Sequence, residues 1–396
     1  MKKILFVIPS LGSGGAEKSL LSVLQNMDFN KYETDILAIK PEGMIAGMLP
    51  VSVNVLPLPD CFDTFSLPPV KSATAFLKKG KPISALNRLM YSLTLAKYGC
   101  GNIAEQHAYK FLERNFKGRY GHYDAAIGYL EKTSDYLVSN AIDADVKIGY
   151  IHSDYDKLKL DGKYDEKLMK NLDFLVTVSD SCGEILKTAL PGMADKVRVI
   201  ENIISKDLIK KQADEDNPFN DDFDGIRITT VGRISHEKGP DIAAKACKIL
   251  VERGYNVKWH WVGAHENTDI QKLIDENDLS GKFIPEGLQT NPYKYIANSD
   301  VYVQPSRFEG KSIAIEEAKV LGVPVAVTGF TTAASQIENG VTGIIADEIS
   351  AEALAEAVEE LISNRELYEK IKTNLKKETG NTDEIKKLYA LIEGKG

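Results

Sequence analysis

Residues Ser299–Val327 read SDVYVQPSRFEGKSIAIEEAKVLGVPVAV. Val301 to Gln304 is a short apolar run of strand type, and Pro305 to Gly310 is a turn. A helix follows and ends at Gly322, before a second strand from Pro324 to Val327. Strand, helix and strand in that order make a βαβ unit. In such units ligands sit at the carboxyl ends of the strands, beside the helix N-terminus. Glu309 falls in that crevice, and Glu317 lies about two turns into the helix, so both can face one ligand. An acid at a helix start also stabilises the helix by its charge alone. The spacing leaves the two readings open.

The same alternation runs outward in both directions. Strands are expected at 4–9, 34–39, 51–56, 125–129, 146–151, 174–178 and 197–200. A second set falls at 226–231, 257–262, 282–285, 300–304, 324–328 and 342–346, with helical patterns between most of them. This is an α/β protein with mainly parallel sheets. Between Ser205 and Gly225 the chain turns polar and acidic and carries an Asn-Pro pair, so it reads as a linker. With 396 residues, two domains are the natural division. The boundaries expected are 1–205, 206–375, and a C-terminal helix at 376–396 that can pack back on the first domain.

Cys61, Cys100, Cys182 and Cys247 are scattered with no C-x-x-C pair, as for buried, reduced thiols. The opening MKKILFVIPSLGSGG has lysines before an apolar run. That run is only about six residues long and leads into glycines and a helix, so it reads as a buried strand rather than an export signal. No apolar stretch nears the roughly 20 residues of a spanning helix. A soluble or membrane-peripheral, cytoplasmic protein is expected.

The net charge of −8 argues against nucleic acid as the main partner. The charge is unevenly spread. Residues 71–120 hold ten basic side chains against Glu105 and Glu113, a net +8, which leaves −16 on the rest. Such a block suggests an anionic surface as partner. Within it, 82–98 reads as an amphipathic helix with Ile83, Leu86, Leu89, Met90 and Leu93 on one face and Arg88 and Lys97 off it. That helix either lies on anionic lipid or packs its apolar face into the core.

Three loops follow strands and carry chemistry. Gly12, Gly14 and Gly15 can bring backbone close to a phosphate or sugar, with a helix N-terminus behind. Glu17 stands where a dinucleotide fingerprint needs its third glycine, so that motif is not met. After the strand RITTV comes GRISHEKGPD, where Arg233 and Lys238 can pair with phosphate oxygens ahead of a helix. His152 ends another strand, at the ligand edge of its sheet. Of the Asp-x-Asp pairs, Asp154/Asp156 is the best placed for a metal, and no Walker A, H-E-x-x-H or G-x-S-x-G motif occurs.

Taken together, SGGAE, GRISHEKGPD, GLQTNPYKYIANSDVYVQPSRFEG, the E-x7-E pair, GVPVAVT and ENGVTGIIAD resemble the retaining glycosyltransferases of family 4. These matches cover most of the second domain. The first domain matches only in SGGAE, His152 and VSDS. The resemblance implies a GT-B fold, two Rossmann-like domains facing each other across a cleft. It further implies a hexose or N-acetylhexosamine moved from a UDP-sugar to a lipid-linked or surface-polysaccharide acceptor, with no metal and no cofactor beyond that donor. Arg233 and Lys238 would then neutralise the leaving diphosphate and Glu309 would contact the sugar. Glu317 would take the ribose hydroxyls, and Gly310, Lys311 and Ser312 would line the donor site. Gly14 and Gly15 would close over the phosphate and sugar, and His152 would bond the sugar near the reacting carbon.

Three positions depart from the family's habit. Lys311 stands where an aromatic or apolar residue usually follows E-G, Lys319 replaces an apolar residue, and Gly263-Ala264-His265 replaces a G-x-G turn. They put donor identity in doubt. A sugar-nucleotide epimerase on the same fold and a non-catalytic nucleotide-sugar-binding module are the other readings.

Overall fold

The computed structural model describes residues 1–99, 101–265 and 268–395, so Cys100 lies outside the described residues. The chain forms two compact units, Met1–Ile203 with Asp383–Gly396, and Ile204–Thr382.

The first unit holds seven strands: β1 (Lys2–Ser10), β2 (Tyr32–Lys40), β3 (Val53–Val55), β4 (His122–Gly128), β5 (Asp143–Ile151), β6 (Phe174–Thr177) and β7 (Val197–Val199). They lie in the order β3-β2-β1-β4-β5-β6-β7, and the pairs are parallel. β1 contributes Ile4 to Ile8 with no exposure, as expected of a strand covered on both faces. One apolar cluster beneath this sheet takes in Ile385, Leu388, Leu391 and Ile392 of the final helix, Ile385–Ile392. Tyr389 of that helix stacks on Tyr32.

The second unit holds β8 (Ile226–Val231), β9 (Val257–Val262), β10 (Phe283–Gly287), β11 (Val301–Gln304), β12 (Val325–Val327) and β13 (Gly343–Ile345). Their order is β10-β9-β8-β11-β12-β13, again with parallel pairs. Each of these thirteen strands overlaps a run expected from the sequence. The strand order reverses between β1 and β4 in one sheet and between β8 and β11 in the other. Loops diverge at such points and leave a crevice at the strands' carboxyl ends.

One expectation is corrected. The polar stretch after Ser205 is not a free linker: Lys206–Ala213 is a helix whose Ile209 packs with Ile204 and Val320. Farther on, Phe219 lies against His260 and Tyr295 of the second unit, and Asp221 is paired with Arg227 and Lys258. Its apolar residues were too few to outweigh the acidic composition on reading, but they are the ones buried.

Pro82–Tyr98 is a helix as expected, and its direction bears on the two readings left open for it. Its apolar face is not packed into the core. Ala85, Asn87 and Arg88 point inward instead. Arg88 donates from Nε to the Phe65 carbonyl at 2.6 Å and from Nη2 to the Leu67 carbonyl at 3.0 Å, and its guanidinium lies over the Phe65 ring. An arginine with that many carbonyl partners can be buried, and here it turns the helix. Among the described residues no helix is long and apolar enough to cross a membrane.

Candidate functional site

At the reversal in the second unit, the loop after β8 and the loop after β11 touch. Gly239 makes this possible: its φ is +68°, and a Cβ there would stand 2.0 Å from the Pro305 carbonyl oxygen. The two loops are then tied by Arg307, which donates to the His236 carbonyl at 2.8 Å and to both carboxylate oxygens of Asp241 at 2.9 and 2.7 Å. This forked pair fixes direction as well as distance.

Lys238 Nζ reaches across to Glu309, 2.7 Å from Oε1 and 2.9 Å from Oε2. Glu309 Oε1 also accepts from Ser306 Oγ at 2.6 Å and Gln304 Nε2 at 3.0 Å. The Tyr302 hydroxyl donates to Gln304 Oε1. Tyr302, Gln304 and Ser306 are spaced by two, so they continue one face of β11 into the turn. Burial, with Glu317 and Glu309 both close, holds the Tyr302 phenol well above its usual range.

The helix of the decisive stretch is Ile313–Leu321, so Glu317 lies one turn into it rather than two. Glu317 is only 3 % exposed, and Tyr293 hydrogen-bonds it; burial and that carboxylate push the Tyr293 phenol up. Ser312 precedes the helix and is held by Gln336, whose Oε1 accepts from the Ser312 N–H and whose Nε2 donates to the Ser312 carbonyl. Gly310 and Lys311 sit half-buried between Glu309 and Ser312, and Arg233 is exposed on the neighbouring loop.

Two departures from the family habit are structural. Lys319 is buried, 3.1 Å from Glu316 Oε2 and 3.0 Å from the Gln336 carbonyl, with Glu378 Oε1 at 3.6 Å. Gly263 is the close-approach residue of its turn, since a Cβ would stand 1.9 Å from the Gly232 oxygen. Ala264, at the middle position, accepts the Ile234 N–H at 2.8 Å, and His265, where the second glycine would stand, forms a parallel β-bridge with Ile234.

In the first unit the glycine loop and His152 lie at the same edge of the sheet, after β1 and β5. Tyr129, just past β4, connects them. Its hydroxyl is 2.9 Å from Ser19 Oγ on the glycine-led helix Gly15–Gln25, and its ring centre is 5.1 Å from that of His152. Gly14 leaves room for Glu17, whose Oε2 would be 2.3 Å from a Cβ; Glu17 Oε1 accepts from Ser10 Oγ at 2.6 Å. A Cβ on Gly15 would meet nothing within 4 Å.

Glu131 organises the His152 turn, accepting the His152 N–H at 3.0 Å and Ser153 Oγ at 2.6 Å. Burial pushes the His152 pKa down to about 4, against the opposing pull of Glu131 and of a hydrogen bond to the Tyr129 backbone. The ring is therefore neutral near pH 7. Its Nε2 is buried and has no partner among the described residues. Asp154 caps the helix Tyr155–Leu158 by accepting the Asp156 N–H.

The sequence reading missed Gln304, Ser306, Tyr293 and Glu131. Polar residues at alternate positions in a buried strand were a signal for the first two. Nothing local marks Tyr293 or Glu131.

A family model described as glycosyl transferases group 1 matches residues 211–378, the segment that carries Lys238, Glu309 and Glu317. Over these residues the chain is similar to the glycosyl transferases group 1. The chain is also similar to the capsular polysaccharide biosynthesis glycosyltransferase CapM of Staphylococcus aureus. That likeness is 34 % identity over 165 residues, 40 % of this chain and 42 % of the relative. The amylovoran biosynthesis glycosyltransferase AmsK of Erwinia amylovora is 29 % identical over 139 residues, 33 % of this chain and 34 % of the relative. The chain spans about two-fifths of the length of the curated relatives it matches. Among solved structures, HepE of Anabaena in complex with UDP and glucose has a TM-score of 0.72 at 14 % identity, with 100 % of both chains covered. Sucrose-phosphate synthase of Thermosynechococcus elongatus has 0.71 at 13 %, covering 100 % of this chain and 99 % of that one. The fold around the group 1 segment is GT-B, with two Rossmann-like units.

Proposed function

We propose that this chain is a retaining, metal-independent glycosyltransferase of the cytoplasmic side of the membrane. It moves a hexose or N-acetylhexosamine from a UDP-sugar to a lipid-linked or surface-polysaccharide acceptor. The observation that carries the reading is the contact of Lys238 with Glu309 at the strand-order reversal of the group 1 segment. The names of CapM and AmsK support the polysaccharide part, and the UDP held by HepE supports the donor.

In this reading Arg233 and Lys238 face the diphosphate as the bond from sugar C1 to phosphate oxygen breaks. Their charge offsets the negative charge that develops there. The acceptor hydroxyl oxygen bonds to C1 on the face the diphosphate leaves, and its proton passes to the departing phosphate oxygen. Glu309 takes the sugar hydroxyls and Glu317 the ribose hydroxyls. Gly310, Lys311 and Ser312 line the donor. Gly14 and Gly15 allow close backbone approach from the first unit, and His152 offers a neutral ring whose Nε2 can accept from a sugar hydroxyl.

The test is a panel of UDP-, GDP- and ADP-sugars scored for donor hydrolysis with and without EDTA, with the released anomer read by NMR. UDP-sugar hydrolysis that survives EDTA and keeps the donor's anomer is expected. An inverted anomer would contradict retention, and an interconverted sugar nucleotide would favour the epimerase reading.

A further inference from the structure

The helix Pro82–Tyr98 turns its polar side inward and its apolar side outward. Asn87 and Arg88 are buried, while Ile83, Leu86 and Leu93 remain 70 %, 59 % and 62 % exposed, with Leu89 and Met90 exposed as well. Positions 83, 86, 90 and 93 step by three and four, so they form one stripe along the helix. Lys97, four residues on, extends that stripe rather than lying off it. The preceding helix, Pro69–Lys78, behaves alike: Ser72, Ala73 and Phe76 are buried, and Val70 and Leu77 are exposed.

Folding does not bury these residues, so another phase or molecule is the natural place for them. Charge decides which. Between Asp63 and Glu105 the chain has no carboxylate. Lys71, Lys78, Lys79, Lys81 and Lys97 are all exposed there, at the turn joining the two helices and at both ends of the hairpin. Lys79 is tied to Thr64 Oγ1 at 2.9 Å. An apolar stripe with cations around it and no acid matches the profile of an anionic bilayer surface, apolar below and phosphate-rich above.

We infer that this face docks on an anionic lipid surface. Ile83, Leu86, Met90 and Leu93 enter the boundary between headgroups and acyl chains, and Lys78, Lys81 and Lys97 meet lipid phosphates. The inference deepens the membrane part of the function proposed above by assigning it to one face of one helix, and it does not depend on the sugar chemistry.

The test is co-sedimentation of the full chain with vesicles of phosphatidylglycerol and phosphatidylcholine, against vesicles of phosphatidylcholine alone. Wild type is expected to bind the phosphatidylglycerol vesicles, and less so as salt rises. Leu86→Gln with Met90→Gln and Leu93→Gln should weaken binding at least tenfold, with melting temperature and donor hydrolysis unchanged. Lys78→Gln with Lys81→Gln and Lys97→Gln should abolish the preference for phosphatidylglycerol. Vesicle binding by the apolar variant at the wild-type level overturns the inference. So does a wild-type dimer that the apolar variant dissociates while neither form binds vesicles. Absence of donor hydrolysis in wild type would sink the transferase reading and leave the vesicle result standing.

Discussion

Lys238 Nζ lies 2.7 Å from Glu309 Oε1 and 2.9 Å from Oε2, joining side chains 71 residues apart in sequence. Both are shielded, the lysine side chain 23 % exposed and the glutamate 9 %. Ser306 and Gln304 hold the glutamate from behind, so the cation is positioned before any ligand arrives. Preorganised charge of this kind contributes most where charge develops in a reaction. Lys238→Ala should lower kcat/KM with a UDP-sugar by at least about a hundredfold, roughly 3 kcal/mol. Because the pair shares one contact, adding Glu309→Gln should cost far less than the sum of the two single losses. Strictly additive losses in that double-mutant cycle would show that the two residues act separately.

Gly239 brings the loops together by having no Cβ. Gly239→Ala should cost roughly 1–3 kcal/mol, from its φ and from the approach of Pro305. Gly322→Ala is the useful comparison, since Gly322 has a similar φ of +78° with open space around it. Denaturant unfolding should find the Gly239 variant the less stable of the two. Equal stabilities would mean that the loop shifts at no cost.

His152 gives a pH dependence with a definite sign. The unfolded imidazole takes up a proton near pH 6.5, whereas the folded ring resists until about 4. Between those values the unfolded state binds more protons, so this contribution is full above about 6.5 and is lost as pH falls toward 4. The expected loss is roughly 1–3 kcal/mol, and His152→Asn should flatten the stability profile in that window. NMR titration of the ring gives a direct check: protonation above pH 6 would refute it.

Lys319 departs from the family habit for a structural reason. Lys319→Met would leave Glu316 and Glu378 without their shared cation and the Gln336 carbonyl without its donor. A stability loss of about 1–3 kcal/mol is expected, with the ranking of donor sugars unchanged. A reordered donor panel would instead place Lys319 in the specificity of the site.

The thirteen strands and the doubly wound class were legible because buried parallel strands are written as short apolar runs between turns, and each run is local. Arg233, Lys238 and Glu309 were legible as candidates for a similar reason, since each lies on a strand-end turn, and Glu317 by its spacing from Glu309 into the helix that follows. Local spacing could not say which of them touch. The Lys238–Glu309 pair depends on β8 and β11 being neighbours, and on Gly239 letting one loop back onto Pro305. The place of Glu317 beside Tyr293 was equally out of reach.

Direction was the other thing withheld. Periodicity along Pro82–Tyr98 names an apolar stripe but not the side it faces. The choice was made by carbonyls of Phe65 and Leu67, which Arg88 reaches from 23 and 21 residues away. By itself, then, the sequence determined the elements, their class and the list of candidate side chains. Tertiary structure alone decided which loops meet, which glutamate is held by which partner, and which face of a helix is left to the outside. Those depend on groups far apart in the chain satisfying one another's charge, hydrogen bonds and volume.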